Sequence, residues 1–74
     1  MNLIKKVANK MSMSVVELES KMEHHIDGAV MYFEENEFSY KILIDYESNT
    51  AKLLNRVLDD EGNMIEMKRI WEIN

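Results

Sequence analysis

The chain has no cysteine and no proline, and only two glycines in 74 residues. Without cysteine there is no disulfide to staple a small fold, and nothing points to an oxidising compartment. Without proline and with so little glycine, a flexible interdomain linker is not expected. No apolar run approaches the roughly 18 residues needed to span a bilayer, so no membrane contact is expected. The lysines of Met1-Asn2-Leu3-Ile4-Lys5-Lys6 are not followed by the apolar core of a secretory leader. These absences make the cytoplasm the default location. No internal repeat or low-complexity segment is visible.

A chain of this length forms one domain, residues 1–74, with a small core. It buries only about 60% of its unfolded surface and is marginal alone. Small scaffolds usually draw stability from disulfides, metal or a partner subunit. With the first excluded and the second poorly supported, self-association is the expected staple. The net charge is −5, from 14 acidic and 9 basic residues. That balance favours solubility and disfavours contact with nucleic-acid phosphate. The charge is uneven. Lys5, Lys6 and Lys10 precede any acid, whereas Glu34, Glu35, Glu37, Asp59, Asp60 and Glu61 crowd predicted loops.

The organising stretch runs from Phe38 to the C-terminus. Phe38, Tyr40, Ile42, Ile44 and Tyr46 alternate with Ser39, Lys41, Leu43 and Asp45, the period-two pattern of a strand. Glu47-Ser48-Asn49-Thr50 supplies turn formers. Two further runs follow, Ala51–Leu58 and Met64–Ile73, separated by Asp59-Asp60-Glu61-Gly62-Asn63. Gly62 sits where a three-residue hairpin loop needs a left-handed residue. That loop would set Val57 against Ile65 and Arg56 against Glu66. Ala51, Leu54, Val57 and Leu58 also fit helical spacing, with Thr50 as a cap; the turn residues at both ends favour a strand.

Upstream, residues 2–25 read as helix. Ile4, Ala8, Met11, Val15, Leu18 and Met22 form a heptad-like stripe that Val7 widens. Two readings compete. One is a single amphipathic helix. The other breaks near Ser12–Ser14, where Ser14-Val15-Val16-Glu17 has capping-box form. The broken form resembles a helix-turn-helix core, with Ala8 at the crossing, Ser12 at the usual turn-glycine position, and Met13 and Leu18 as anchors. Its second helix carries Glu17, Glu19 and Glu23 against a lone Lys21, which phosphate would repel. His24 and His25 suit a helix C-terminus, and Gly28 ends the helical run. Ala29–Glu34 is a candidate first strand, turned by Glu35-Asn36-Glu37. The predicted fold is α+β: an N-terminal amphipathic helix, 2–25, packed on a 3–4-stranded antiparallel β-meander, 29–73.

No chemical constellation stands out. Glu23, His24, His25 and Asp27 are metal-ligand types, but adjacent histidines on a helix diverge. Ser12, Ser14, Ser20, Ser39 and Ser48 lack the context of a nucleophile. Asp59-Asp60-Glu61 lacks calcium-loop spacing. No catalytic residue, cofactor or metal is expected. Of seven methionines, Met11, Met22 and Met67 fit the core stripes, while Met13, Met31 and Met64 could lie outside them. The informative feature is a surplus of apolar positions. If Phe38, Tyr40, Ile42, Ile44, Tyr46, Ile65, Met67 and Trp71 face the helix, then Leu43, Leu54, Leu58, Met64 and Ile70 fall on the far side, a candidate interface.

The length, the lack of cysteine and proline, the leading helix with its Leu18-to-Met22 turn, and the meander ending in Asp60-Glu61-Gly62-Asn63 resemble small prophage-encoded Bacillus proteins of the YopT-like type. The resemblance implies a homodimer of helix plus strands in a phage or prophage setting, and it carries over no functional residue. The expected function is a non-enzymatic protein-binding module, whose partners are itself and a further protein that the sequence does not identify. Two other classes stand beside it. One is a nucleic-acid-linked regulator contacting DNA through Lys5, Lys6 and Lys10; the other is an acidic DNA-mimic inhibitor.

Overall fold

The computed structural model describes residues 2–74. Two short helices, α1 (Leu3–Lys10) and α2 (Val15–Lys21), precede five strands: β1 (Glu23–His24), β2 (Gly28–Glu35), β3 (Phe38–Asp45), β4 (Thr50–Leu58) and β5 (Met64–Ile73). The strands form one antiparallel sheet in sequence order. The α+β meander is as predicted, with five strands where three or four were expected. The stretch 51–58 is a strand.

The expected helix over 2–25 is two helices, and 23–24 is a strand. Local chemistry explains the break. Asn2 caps α1 by accepting from the Lys5 amide at 2.8 Å. Ser14 caps α2 by accepting from the Glu17 amide at 3.1 Å. Between them Ser12 has φ 56, at the position where a glycine is usual. The Glu17 carboxylate meets Lys21 at 3.4 Å. At Met22 the backbone becomes extended, with φ −88 and ψ 143, so the two histidines lie beyond the helix. His24 still serves the helix end: its Nε2 lies 3.1 Å from the Glu19 carbonyl oxygen.

The core sits between the helix pair and one sheet face, in rows across the strands. Ala29, Ile44, Ala51 and Ile73 are paired in series, as are Met31, Ile42, Leu53 and Trp71. Leu3, Val7, Ala8, Leu18 and Met22 close over these two rows. Every member of the heptad-like stripe is buried or packs against the core. Met31 belongs to the core and Met13 packs against it, so neither lies outside. In the third row, Phe33 and Tyr40 are half-buried and stacked, with centroids 5.0 Å apart. Glu35, Phe38 and Glu66, at the end of the sheet, are exposed.

Length explains this gradient. A helix of 8 residues is about 12 Å long. A strand of 8 residues runs about 27 Å, and one of 10 residues about 33 Å. The helices therefore cover about half of the strand length, and the outer end of β4–β5 projects past them.

Two irregularities in the β4–β5 pairing, at Leu53/Leu54 and Val57/Leu58, correct the expected faces. Val57 pairs with Glu66 and Arg56 with Met67, one residue off the predicted register. The loop is the predicted one. The Asp59 amide donates to the Asn63 carbonyl oxygen at 2.9 Å, Asp59 Oδ1 accepts from the amides of Glu61 and Asn63, both at 2.9 Å, and Leu58 pairs with Met64. The shift arises one pair farther on, at a bulge. Gly62 has φ 86, the left-handed role expected of it. Ile65 is the extra residue of that bulge, because Leu58 pairs with Met64 while Val57 pairs with Glu66. Met67 shares Arg56's side, away from the helices, so neither it nor Ile65 is a core residue. Phe38 and Tyr46 are exposed as well.

The β2–β3 turn is tight, and both Asn36 and Glu37 have positive φ, 52 and 70. This is the backbone of a hairpin turn that favours Asn-Gly. Glu37→Gly is expected to stabilise the fold by about 1 kcal/mol, read as a higher urea midpoint at unchanged slope. Gly28→Ala is expected to act oppositely, since its Cβ would overlap the Ile44 carbonyl. A loss of about 1–3 kcal/mol is anticipated in the same assay; an unchanged midpoint would contradict the β2–β3 contact.

Candidate interaction surface

The projecting end of the sheet carries most of the exposed large apolar side chains. Phe38 at the start of β3, Leu58 at the end of β4, and Met64, Ile65, Met67 and Ile70 on β5 are all exposed, Ile65 at 66% and Ile70 at 52%. β5 is an edge strand. Its outer N–H and C=O groups have no strand neighbour, and residues 64–70 are exposed without exception. Proteins usually blunt such an edge with short strands, charges, proline or bulges. Here Lys68, Arg69 and the two irregularities are present, but the strand is long and apolar.

Farther along, the edge is occupied. Lys6 Nζ donates to the Asn74 carbonyl oxygen at 2.8 Å, and Lys10 Nζ lies 5.8 Å from the Trp71 ring centroid. Two of the three lysines proposed for nucleic acid thus tie α1 to the end of β5. The third, Lys5, is exposed. Glu72 is held by Arg69 at 3.0 Å and Lys52 at 3.9 Å.

The predicted interface residues divide into two groups. Leu58, Met64 and Ile70 are exposed at the projecting end or on the β5 edge. Leu43 and Leu54 are half-buried on the far face, although no secondary-structure layer covers it. Leu43 pairs with Lys52, and Leu54 with Lys41 and Arg69; these long stems shield them while their charged ends stay solvated. Tyr32, on the same face, has the Arg56 guanidinium 4.9 Å and the Lys41 ammonium 5.6 Å from its ring centroid. Reaching across toward Tyr32, Arg56 passes its direct partner Ser39, which is buried. Sequence reading missed Ile65 and Met67 as surface residues because strict alternation hides a bulge. It missed Tyr32 because the first strand had no fixed register.

The other polar candidates have structural partners. Ser20 Oγ donates to the Glu17 carbonyl oxygen at 2.8 Å, and Ser48 Oγ lies 2.7 Å from Thr50 Oγ1. His25 approaches Glu23 at 3.8 Å. Among the described residues no group of three or more His, Cys, Asp or Glu side chains is placed to hold a metal ion. The surface depressions are shallow. One of ≈ 400 Å³ lies by His25, Asp27, Tyr32 and Asp45, and one of ≈ 520 Å³ lies by Met11, Met13, Met31 and Phe33. No helix is long and apolar enough to cross a membrane, among the described residues. Comparison with protein-family models, curated proteins and solved structures returns no match.

The division between core and surface gives a stability test. Ile42→Ala, at a fully buried site, is expected to cost about 2–5 kcal/mol in urea unfolding. Ile65→Ser is expected to stay within about 0.5 kcal/mol when measured at low protein concentration. Equal losses at both sites would show that the projecting end is part of the core.

Proposed function

We propose that this chain is a non-enzymatic protein-binding module. Its contact surface is the open β5 edge with the apolar end of the β4–β5 hairpin, and its first partner is a second copy of itself. The observation that carries the reading is the run Met64–Ile70: exposed on an edge strand, rich in large apolar side chains, and uncovered by the helices. An open edge binds by strand addition, in which backbone hydrogen bonds supply attraction and side-chain pockets supply selectivity. The small core adds motive, because a subunit that covers the projecting end supplies stability the helices do not reach.

The likeness to prophage-encoded proteins supports the role of a phage or prophage accessory factor that acts in the bacterial cytoplasm on a host protein. One observation favours a second reading. Two cations on the sheet frame an aromatic ring: Lys41 and Arg56 flank the exposed ring of Tyr32. An aromatic between cations can stack a base of a single strand. Quenching of Tyr32-dependent fluorescence by an oligonucleotide at low salt, lost in Tyr32→Ala, would favour that reading over protein binding.

Sedimentation equilibrium across a wide concentration range tests the main reading. A dimer that Ile65→Asp/Met67→Asp converts to a folded monomer is expected. A wild-type monomer at all concentrations would end the self-association reading.

A further inference from the structure

We infer that two copies pair antiparallel through β5 in one register, with Met67 of each chain facing Met67 of the other. The inference rests on the self-association reading above and specifies its geometry.

Symmetry supplies the first constraint. In an antiparallel ladder, successive residue pairs alternate between hydrogen-bonded and non-hydrogen-bonded. Two identical strands related by a two-fold axis must make equivalent pairs on either side of that axis. The axis therefore passes through a residue paired with its own copy, never between two residues. Only a few registers remain, and charge separates them. Centring on Glu66, Lys68, Arg69 or Glu72 sets a like charge directly against itself. Centring on Trp71 makes no opposite-charge pair. Centring on Ile65 leaves little strand before the Asp59–Asn63 loop begins. Centring on Ile70 pairs Lys68 with Glu72, but that carboxylate is already held by Arg69 and Lys52. It also needs the strand end, where Lys6 occupies the Asn74 carbonyl.

Centring on Met67 meets each condition. Glu66 faces Lys68 of the partner copy, and Lys68 faces its Glu66, two opposite-charge pairs. Met64 faces Ile70 and Met67 faces Met67. The pairing spans 64–70, the stretch that is exposed throughout. A further match lies beyond the strand. In this register the loop of one copy, with Asp59, Asp60 and Glu61, runs alongside residues 71–74 of the other. That is where α1 brings Lys6 and Lys10. The uneven charge of the sequence, lysines at the N-terminus and acids in the loops, becomes complementary between copies. Both helix pairs then lie on the same side of one ten-stranded sheet, twice the five strands of one chain.

The test uses Met67→Cys in a chain that has no other cysteine. Facing residues in an antiparallel pair have Cα atoms about 4.5–5.5 Å apart, within disulfide range. Mild oxidation is expected to give a cross-linked dimer with Met67→Cys and none with Ile70→Cys, whose copies would lie about 20 Å apart along the strand. Glu66→Lys is expected to weaken the dimer at least tenfold, and Glu66→Lys/Lys68→Glu to restore it, with circular dichroism confirming the fold of each variant. Added salt is expected to weaken association. A wild-type dimer that cross-links through Ile70→Cys, or through neither cysteine, overturns the register while leaving self-association standing. A wild-type monomer at every concentration overturns both.

Discussion

The mismatch between helix length and strand length governs this structure. Two helices of 8 and 7 residues are laid on strands more than twice as long. Burial follows from that ratio. The two rows beneath the helices are almost dry, the Phe33–Tyr40 row is half-wet, and the end of the sheet has no cover. The apolar side chains at that end do not keep the alternation of the core: the β4–β5 bulges turn Met67 to the side away from the helices, and these side chains stay exposed.

A second consequence concerns the uncovered face. A sheet with water on one side usually alternates apolar and polar residues cleanly. Here Val30, Leu43 and Leu54 interrupt the polar set; Val30 pairs with Leu43 and Glu23, and lysine and arginine stems lie beside Leu43 and Leu54. Charge on this face thus serves packing as well as solubility. The exposed ion pairs contribute little by themselves.

The sequence showed the architecture more clearly than the surface. The alternation around Ile42 and Ile44, the stripe from Ile4 to Met22, the left-handed Gly62 and the Ser12 turn were all legible, because each rests on a local rule about period or backbone angle. What escaped was non-local. The strand at Glu23–His24 exists because β2 offers it an edge, and no pattern in two residues announces that. The faces of Ile65 and Met67 depend on bulges, and one inserted residue reverses every later side chain. The interface residues were partly legible: Leu58, Met64 and Ile70 are exposed, whereas Leu43 and Leu54 lie half-buried among cations.

The sheet order also bears on how the chain folds. Each strand pairs only with its neighbours in sequence, so no pairing has to wait for a distant segment. Each hairpin closes a short loop, and the entropy cost of closure grows only slowly with loop length. Such a topology has low contact order for a β-rich protein, which places it toward the rapid end of sheet folding. β5 is a long strand with a single neighbour, so its place in the sheet rests on the β4–β5 hairpin alone. The segment with the most to gain from a partner is also one of the least tied to the rest of the chain.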